Sequence, residues 1–245
     1  MLVESSNNSA QELGADEENR SRASLSWKGR LLMLGLNFIP FFHVAIIVVP
    51  LVPPYANLPV RIAVALALLY LAPPVLARLV LGTAGSPQGR IAVGSKAFFV
   101  WWFVFQLQIV FCRLTALEEV LRLVPGFYSQ WLRLWGSRIG RLTYWSPGTL
   151  ITDRSFLSIG DDVVLGAGVR LNPHVMAKGK NGELELLLAT VRVGDRVQVG
   201  GYSLLTAGTE IQDGEVTRAF LISPPFSKWK AGKRVRGEEE VEDNE

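Results

Sequence analysis

A single cysteine, Cys112, in 245 residues excludes an intramolecular disulfide and any cysteine-based metal spacing, and it says little about the redox compartment. Histidine is almost as scarce, with His43 and His174 alone, and no metal site is expected. No glycine-rich nucleotide fingerprint follows a strand pattern. Charged residues make up only 19% of the chain and the net charge of +3 is modest, so no nucleic-acid partner is expected. Residues 1–26 are rich in Ser, Asn and Glu and lack apolar periodicity, which predicts a disordered tail. The first apolar run starts too late and is too long for a cleavable signal.

Apolar residues, by contrast, reach 49%, and the excess lies in the first half. Residues 31–52 are almost uncharged, as are 58–81 apart from Arg61 and Arg78, and each run is long enough to cross a bilayer. Pro40, Pro50, Pro73 and Pro74 would end soluble helices, but neighbouring helices can satisfy the freed backbone in a membrane. Pro53, Pro54, Tyr55, Ala56 and Asn57 make a tight hairpin between the runs. A third run, 97–112, is short and crowded with Phe98, Phe99, Trp101, Trp102, Phe103, Phe105 and Phe111. It reads as an interfacial or re-entrant helix, with a full third span as the alternative. Residues 113–135 continue as an amphipathic pattern lying on the membrane.

Basic residues cluster at Arg20, Arg22, Lys28 and Arg30 before the first run and at Arg78, Arg90 and Lys96 after the second. The positive-inside rule then places the N-terminus and the 82–96 loop on the cytoplasmic side of the inner membrane.

From Ile139 onward the chain counts in sixes. Ile139-Gly140, Trp145-Ser146 and Ile151-Thr152 are followed by Ile159-Gly160, Leu165-Gly166 and Leu171-Asn172. Val193-Gly194, Val199-Gly200, Leu205-Thr206 and Ile211-Gln212 resume the count later. An apolar residue every six positions, with a small or polar one after it, suits a triangular prism of short parallel strands, three hexads to a coil. No single coil can bury its own corners, so stacked neighbours must supply the core.

This pattern resembles the hexapeptide-repeat acyltransferases, whose fold is a left-handed parallel β-helix; the left hand comes from the resemblance alone. The chain thus divides into a 1–26 tail, membrane-embedded and interfacial helices over 27–135, a prism over 136–223 with an extruded loop at 177–192, and a basic then acidic tail over 224–245. The stretch from Ile159-Gly160-Asp161 to Asn172-Pro173-His174 is similar to that family's segment ending in its general base. The resemblance therefore implies that His174 takes a proton from an acceptor hydroxyl or amine, a task an imidazole suits near neutral pH. The related γ-carbonic anhydrases need three histidine ligands, and the prism offers one.

Ile151 and Leu171 are twenty residues apart, one coil plus a two-residue interruption placed near Leu157-Ser158. Asp153 should therefore stack close to His174, either orienting the imidazole or serving as a turn residue. His43, inside the first run, is a functional candidate by location, or a bland donor to a carbonyl freed near Pro40. Gly200, Gly201 and Gly208 allow close backbone approach to a cofactor. Lys228, Lys230 and Lys233 would meet the phosphates of coenzyme A, or equally a membrane surface. The expected protein is a membrane-anchored, homotrimeric acyltransferase, acetyl-CoA its donor, acting on a membrane lipid or glycan-type acceptor. A trimeric scaffold without activity and a transferase fed by an acyl carrier protein are the alternatives.

Overall fold

The computed structural model describes residues 25–52, 56–180 and 182–235. Most of the expected N-terminal tail, the first three residues of the tight hairpin, Asn181 and the acidic run 238–245 lie outside them.

The two long apolar runs form a helical hairpin broken once on each side. The outgoing arm is α1 (Trp27–Leu36), α2 (Ile39–Val48) and a 3-10 turn at Val49–Leu51, and the returning arm is α3 (Leu58–Tyr70) and α4 (Ala72–Ala84). The breaks fall where proline enters: Pro40 occupies the first turn of α2 and Pro73 that of α4, positions whose N–H would have no helical partner. Asn57 caps α3, its Oδ1 accepting from Val60 N at 3.1 Å. After β1 (Gly89–Ala92), Ser95 caps α5 (Lys96–Arg113) in the same way, accepting from Phe98 N at 3.1 Å. By length and composition Trp27–Leu51, Leu58–Ala84 and Lys96–Arg113 are each apolar enough to cross a membrane. Two short helices, α6 (Ala116–Arg122) and α7 (Phe127–Leu134), then lead into the prism.

Three stacks of parallel strands make the prism. One face carries β2 (Arg138–Ile139), β5 (Leu157–Ile159), β10 (Val191–Val193), β13 (Glu210–Ile211) and β15 (Lys228–Lys230). The second carries β3 (Tyr144–Trp145), β6 (Val164–Leu165) and β11 (Gln198–Val199). The third carries β4 (Leu150–Ile151), β7 (Arg170–Asn172), β12 (Leu204–Thr206) and β14 (Ile222–Ser223). The leading residue of each hexad points inward: Ile139, Ile151, Ile159, Leu165, Leu171, Val193, Val199, Leu205 and Ile211 are all buried in one cluster. The small second residue is a steric demand. A Cβ on Gly140 would collide with the Gly160 carbonyl of the next coil, and one on Gly160 with Asp195.

Register gives the coil lengths. Arg192 pairs with Glu210 and Glu210 with Lys228, eighteen residues each time, but Arg138 pairs with Ser158, twenty on. Leu150 still pairs with Arg170, so the two extra residues lie between Ile151 and Leu157, just before the interruption read from the sequence. A longer departure separates Asn172 from Val191. It is an antiparallel hairpin, β8 (His174–Lys178) and β9 (Leu184–Leu188), and β1 joins its outer edge. At the far end β16 (Lys233–Val235) folds back antiparallel on β15 and closes the stack.

The near end is closed by α5, α6 and α7. Val104, Leu107, Phe111, Trp131, Leu132 and Trp135 join the same cluster as the first coil's Ile139, Trp145 and Ile151. Within that apolar cap the buried Arg154 side chain crosses from the extra residues to the helices. Its Nε donates to Glu118 Oε1 at 2.6 Å, its Nη2 meets the same oxygen, and its backbone N donates to Gln108 Oε1 at 2.6 Å. Glu118 Oε2 accepts from Tyr128 Oη at 2.6 Å and from Arg122 Nη2 at 3.1 Å. Burial would lower the Arg154 pKa, but the Glu118 charge keeps it raised. The opposing pulls on Tyr128, burial and Glu118 against two arginines, leave its phenol well above the ordinary range.

Glu118→Ala strands the Arg154 charge in this cap and should destabilise the chain by about 3–5 kcal/mol. Glu210→Ala, which removes exposed pairs to Arg192 and Lys228, should cost under about 1 kcal/mol. Denaturant unfolding of both variants in detergent measures the contrast, and equal effects would refute it.

Candidate functional site

The extra residues of the first coil also supply Asp153. Its carboxylate is fully buried, 0% exposed, yet every approach to it is polar. Trp101 Nε1, from α5, donates to Oδ1 at 2.8 Å, and Thr152 Oγ1 donates to Oδ2 at 2.9 Å. The third partner is His174, whose Nδ1 lies 2.5 Å from Oδ2. His174 opens the β8–β9 hairpin where it leaves the prism, so its position is fixed by strand pairing on one side and by Asp153 on the other. Aromatic edges hold the ring further: Trp101 at 5.0 Å and Phe105 at 5.2 Å between centroids, both T-shaped.

This arrangement sets the tautomer. An ionised carboxylate only accepts, so Nδ1 carries the proton and Nε2 of the neutral ring presents a lone pair. Nε2 has no hydrogen-bond partner among the described residues, and the side chain remains 20% exposed. The result is a base held at one nitrogen and open at the other. Burial pulls the imidazole pKa down, but the charge and hydrogen bond of Asp153 outweigh it and leave the pKa above 6.5. Protonation is thus favoured in the fold. His174 contributes stability that is fully present below pH 6.5 and lost as pH rises through the raised value.

Other sequence candidates fall in different places. Gly208, at φ +69°, lies on the same prism edge as His174, where Gly208 N donates to Ala189 O at the foot of the hairpin, 3.3 Å away. Gly200 and Gly201 turn a different edge, between the second and third faces, where Gly200 packs on the Arg218 backbone and Gly201 near Ala167. Lys228 stands three rungs from Ser158 along the first face, about 14 Å at normal strand spacing, and pairs with Glu210 at 3.7 Å. Lys230 and Lys233 face each other across the closing hairpin. His43, in α2, lies against the Leu68 carbonyl at 3.2 Å, away from this site.

Sequence reasoning missed Trp101 and Phe105 as members of the site. Their run read as an aromatic belt, and nothing in its spacing marks one indole as a donor to a carboxylate fifty-two residues away. Arg154, the other inserted residue, also carried no signal. Among the described residues no group of three or more His, Cys, Asp or Glu side chains could hold a metal.

No family model matches the chain, and no curated protein matches it. Solved structures do. A hexapeptide-repeat-containing acetyltransferase from Vibrio cholerae is 15% identical at a TM-score of 0.32, over 51% of this chain and 90% of that one. A maltose O-acetyltransferase from Clostridium difficile 630 is 15% identical at 0.38, over 65% and 95%. A galactoside acetyltransferase in complex with coenzyme A is 16% identical at 0.28, over 49% and 78%. Similarity this low leaves the chemistry to the chain's own side chains.

With only two histidines, NMR of histidine-labelled protein resolves each ring. The His174 resonance should titrate with a midpoint above 6.5. In Asp153→Asn burial remains while the charge is gone, so the midpoint should fall below 6.5. An unchanged midpoint would remove Asp153 as the cause.

Proposed function

We propose that this chain is a membrane-associated acyltransferase in which His174 is the general base and Asp153 holds it in position. The observation that carries the reading is the Nδ1 to Asp153 contact at 2.5 Å with Nε2 left unpaired among the described residues. In the reaction, Nε2 removes the proton from an acceptor hydroxyl or amine as its heteroatom attacks a thioester carbonyl. The tetrahedral intermediate collapses with cleavage of the carbon–sulfur bond. The imidazolium, steadied by Asp153, then returns the proton to the leaving thiolate. The products are the acylated acceptor and a free thiol, and no other reactant is consumed.

The donor that best fits is acetyl-CoA, with Lys228, Lys230 and Lys233 as partners for its phosphates; an acyl carrier protein is the second donor this chemistry allows. Gly200 and Gly201 lie on a different edge from His174, so their backbone could serve the same reaction only from a neighbouring prism. That is the reason to propose a homotrimer, with each site shared between left-handed prisms. The apolar helices between Trp27 and Arg113 support a membrane location, the basic flanks favour the cytoplasmic side for the prism, and a membrane location favours a lipid or lipid-linked acceptor.

His174→Ala should lower transfer by about 10²–10⁴-fold while the hairpin keeps its fold, since the ring fills no part of the prism core. The assay follows thiol release from acetyl-CoA together with acyl transfer into lipid extracts. Undiminished turnover in the variant would remove His174 from the mechanism. Wild-type protein that transfers from neither donor would favour a scaffold.

A further inference from the structure

How α5 sits on the prism fixes how the helices meet a membrane. Trp101 reaches Asp153, Gln108 reaches Arg154, and Cys112 Sγ lies 3.9 Å from the Ile151 carbonyl. From Trp101 to Cys112 the helix advances about 16 Å, yet these three polar partners all lie within 151–154 of one coil, and the Trp101 and Phe105 rings reach only His174 of the next. A helix running along the stack would pass to a new coil about every 5 Å. α5 therefore lies across the end of the prism rather than along the stacking axis.

The helical hairpin follows α5. A Cβ on Gly29 would touch the Phe99 ring at 3.4 Å, Asn37 Oδ1 accepts from both Trp102 and Gln106 at 3.0 Å, and the His43 and Phe111 rings are 6.4 Å apart. From Gly29 to His43 and from Phe99 to Phe111 the two chains advance together, so α1 and α2 run parallel to α5. The returning arm is tied to the same cap, with Trp131 Nε1 donating to Tyr70 O at 2.8 Å and Tyr70 Oη to Leu117 O at 3.0 Å.

An upright hairpin would then turn the stacking axis into the membrane plane and hold the prism beside it at hydrocarbon depth. Arg141, Arg170, Arg192, Arg196 and Arg218 are exposed around that prism. A charge at such depth costs about 3 kcal/mol by insertion scales. A hairpin lying flat instead offers lipid its own exposed apolar side chains, among them Leu31, Leu34, Phe38, Phe41, Phe42 and Ile46, and keeps every one of those arginines in water.

We propose that the helices between Trp27 and Arg113 form a monotopic layer seated in one leaflet, with the prism axis along the membrane normal and none of them crossing, although three stretches are long and apolar enough to do so. The partner is the lipid leaflet itself. Resting on the transferase reading above, a consequence follows for the substrate. His174, held against α5, stands at headgroup depth, so the acceptor is an amphiphile whose reacting hydroxyl or amine lies at the interface.

Polarised infrared spectroscopy of the full chain in oriented bilayers reads the helix tilt directly. The expected mean axis lies nearer the membrane plane than the normal, whereas spanning helices tilt by about 0–40° from the normal. An axis nearer the normal overturns the proposal. Ala56→Cys, at the hairpin tip, supplies an independent reading that preserves the Asn57 cap. An impermeant maleimide applied to intact cells should leave it unlabelled and label it once detergent is added, with the parent chain as the blank for Cys112. Labelling in intact cells overturns the proposal. An upright hairpin in a chain whose transfer still depends on His174 would defeat the orientation and spare the chemistry; a flat hairpin with a dispensable His174 would do the reverse.

Discussion

Everything distinctive in this structure depends on two extra residues in one coil. A regular coil passes from the third face to the first in six residues, as from Leu204 to Glu210, whereas this one takes eight, from Leu150 to Ser158, and Asp153 and Arg154 lie within that longer step. The enlarged corner sends their side chains in different directions. Arg154 goes into the helical cap, where Glu118, Gln108 and Cys112 surround its guanidinium. Asp153 goes to the hairpin exit, where Trp101, Thr152 and His174 surround its carboxylate. Opposite charges one residue apart in sequence are thus each desolvated and each matched, which a buried ion requires to persist. The joint that fastens the cap to the prism and the group that sets the base are neighbours on one backbone.

That coupling explains why an aromatic helix sits over a polar site. Trp101 belongs to a cluster with Phe98, Phe156, Leu186 and Leu188, so α5 grips the hairpin through apolar contact. At the same time its indole N–H is spent on Asp153. A charge-assisted hydrogen bond of this kind contributes about 1.5–3 kcal/mol, and it fixes Oδ1 so that Oδ2 faces the imidazole. Removing water from around the pair strengthens the Asp153 field at His174, which is how a largely buried ring keeps a raised pKa. The same helix supplies the dry wall and the donor that makes the wall tolerable to a carboxylate.

The hexad count made the prism legible because its signal is steric and repeats: an inward aliphatic, then a residue small enough to pass under the next coil. Register at Arg192, Glu210 and Lys228 follows the count without adjustment. The nearness of Asp153 to His174 was legible for the same reason, since one coil plus two residues brings them to one edge. The helical cap was not. Its contacts join residues forty to seventy positions apart, as between Asn37 and Gln106 or Gln108 and Arg154, and no period encodes them. Hydropathy marked residues 31–52 as able to span but carried no direction; direction comes from the packing of α5 on the first coil.

A solenoid has two ends, and each must be closed against further stacking. Here the closures differ in kind. At the far end a short antiparallel strand carries Lys233 and Arg234, exposed and charged, which suits water. At the near end the closure is a set of aromatic and aliphatic helices, and the helical hairpin packed on it leaves many large apolar side chains exposed. An exposed apolar surface of this size marks an interaction site. Because Asp153 lies in the coil under that closure and His174 in the coil after it, the end the chain closes with greasy helices is also the end where the His174 Nε2 is presented. Solenoid polarity, the apolar helical closure and the position of His174 are therefore one decision, made where residues 151–154 meet α5.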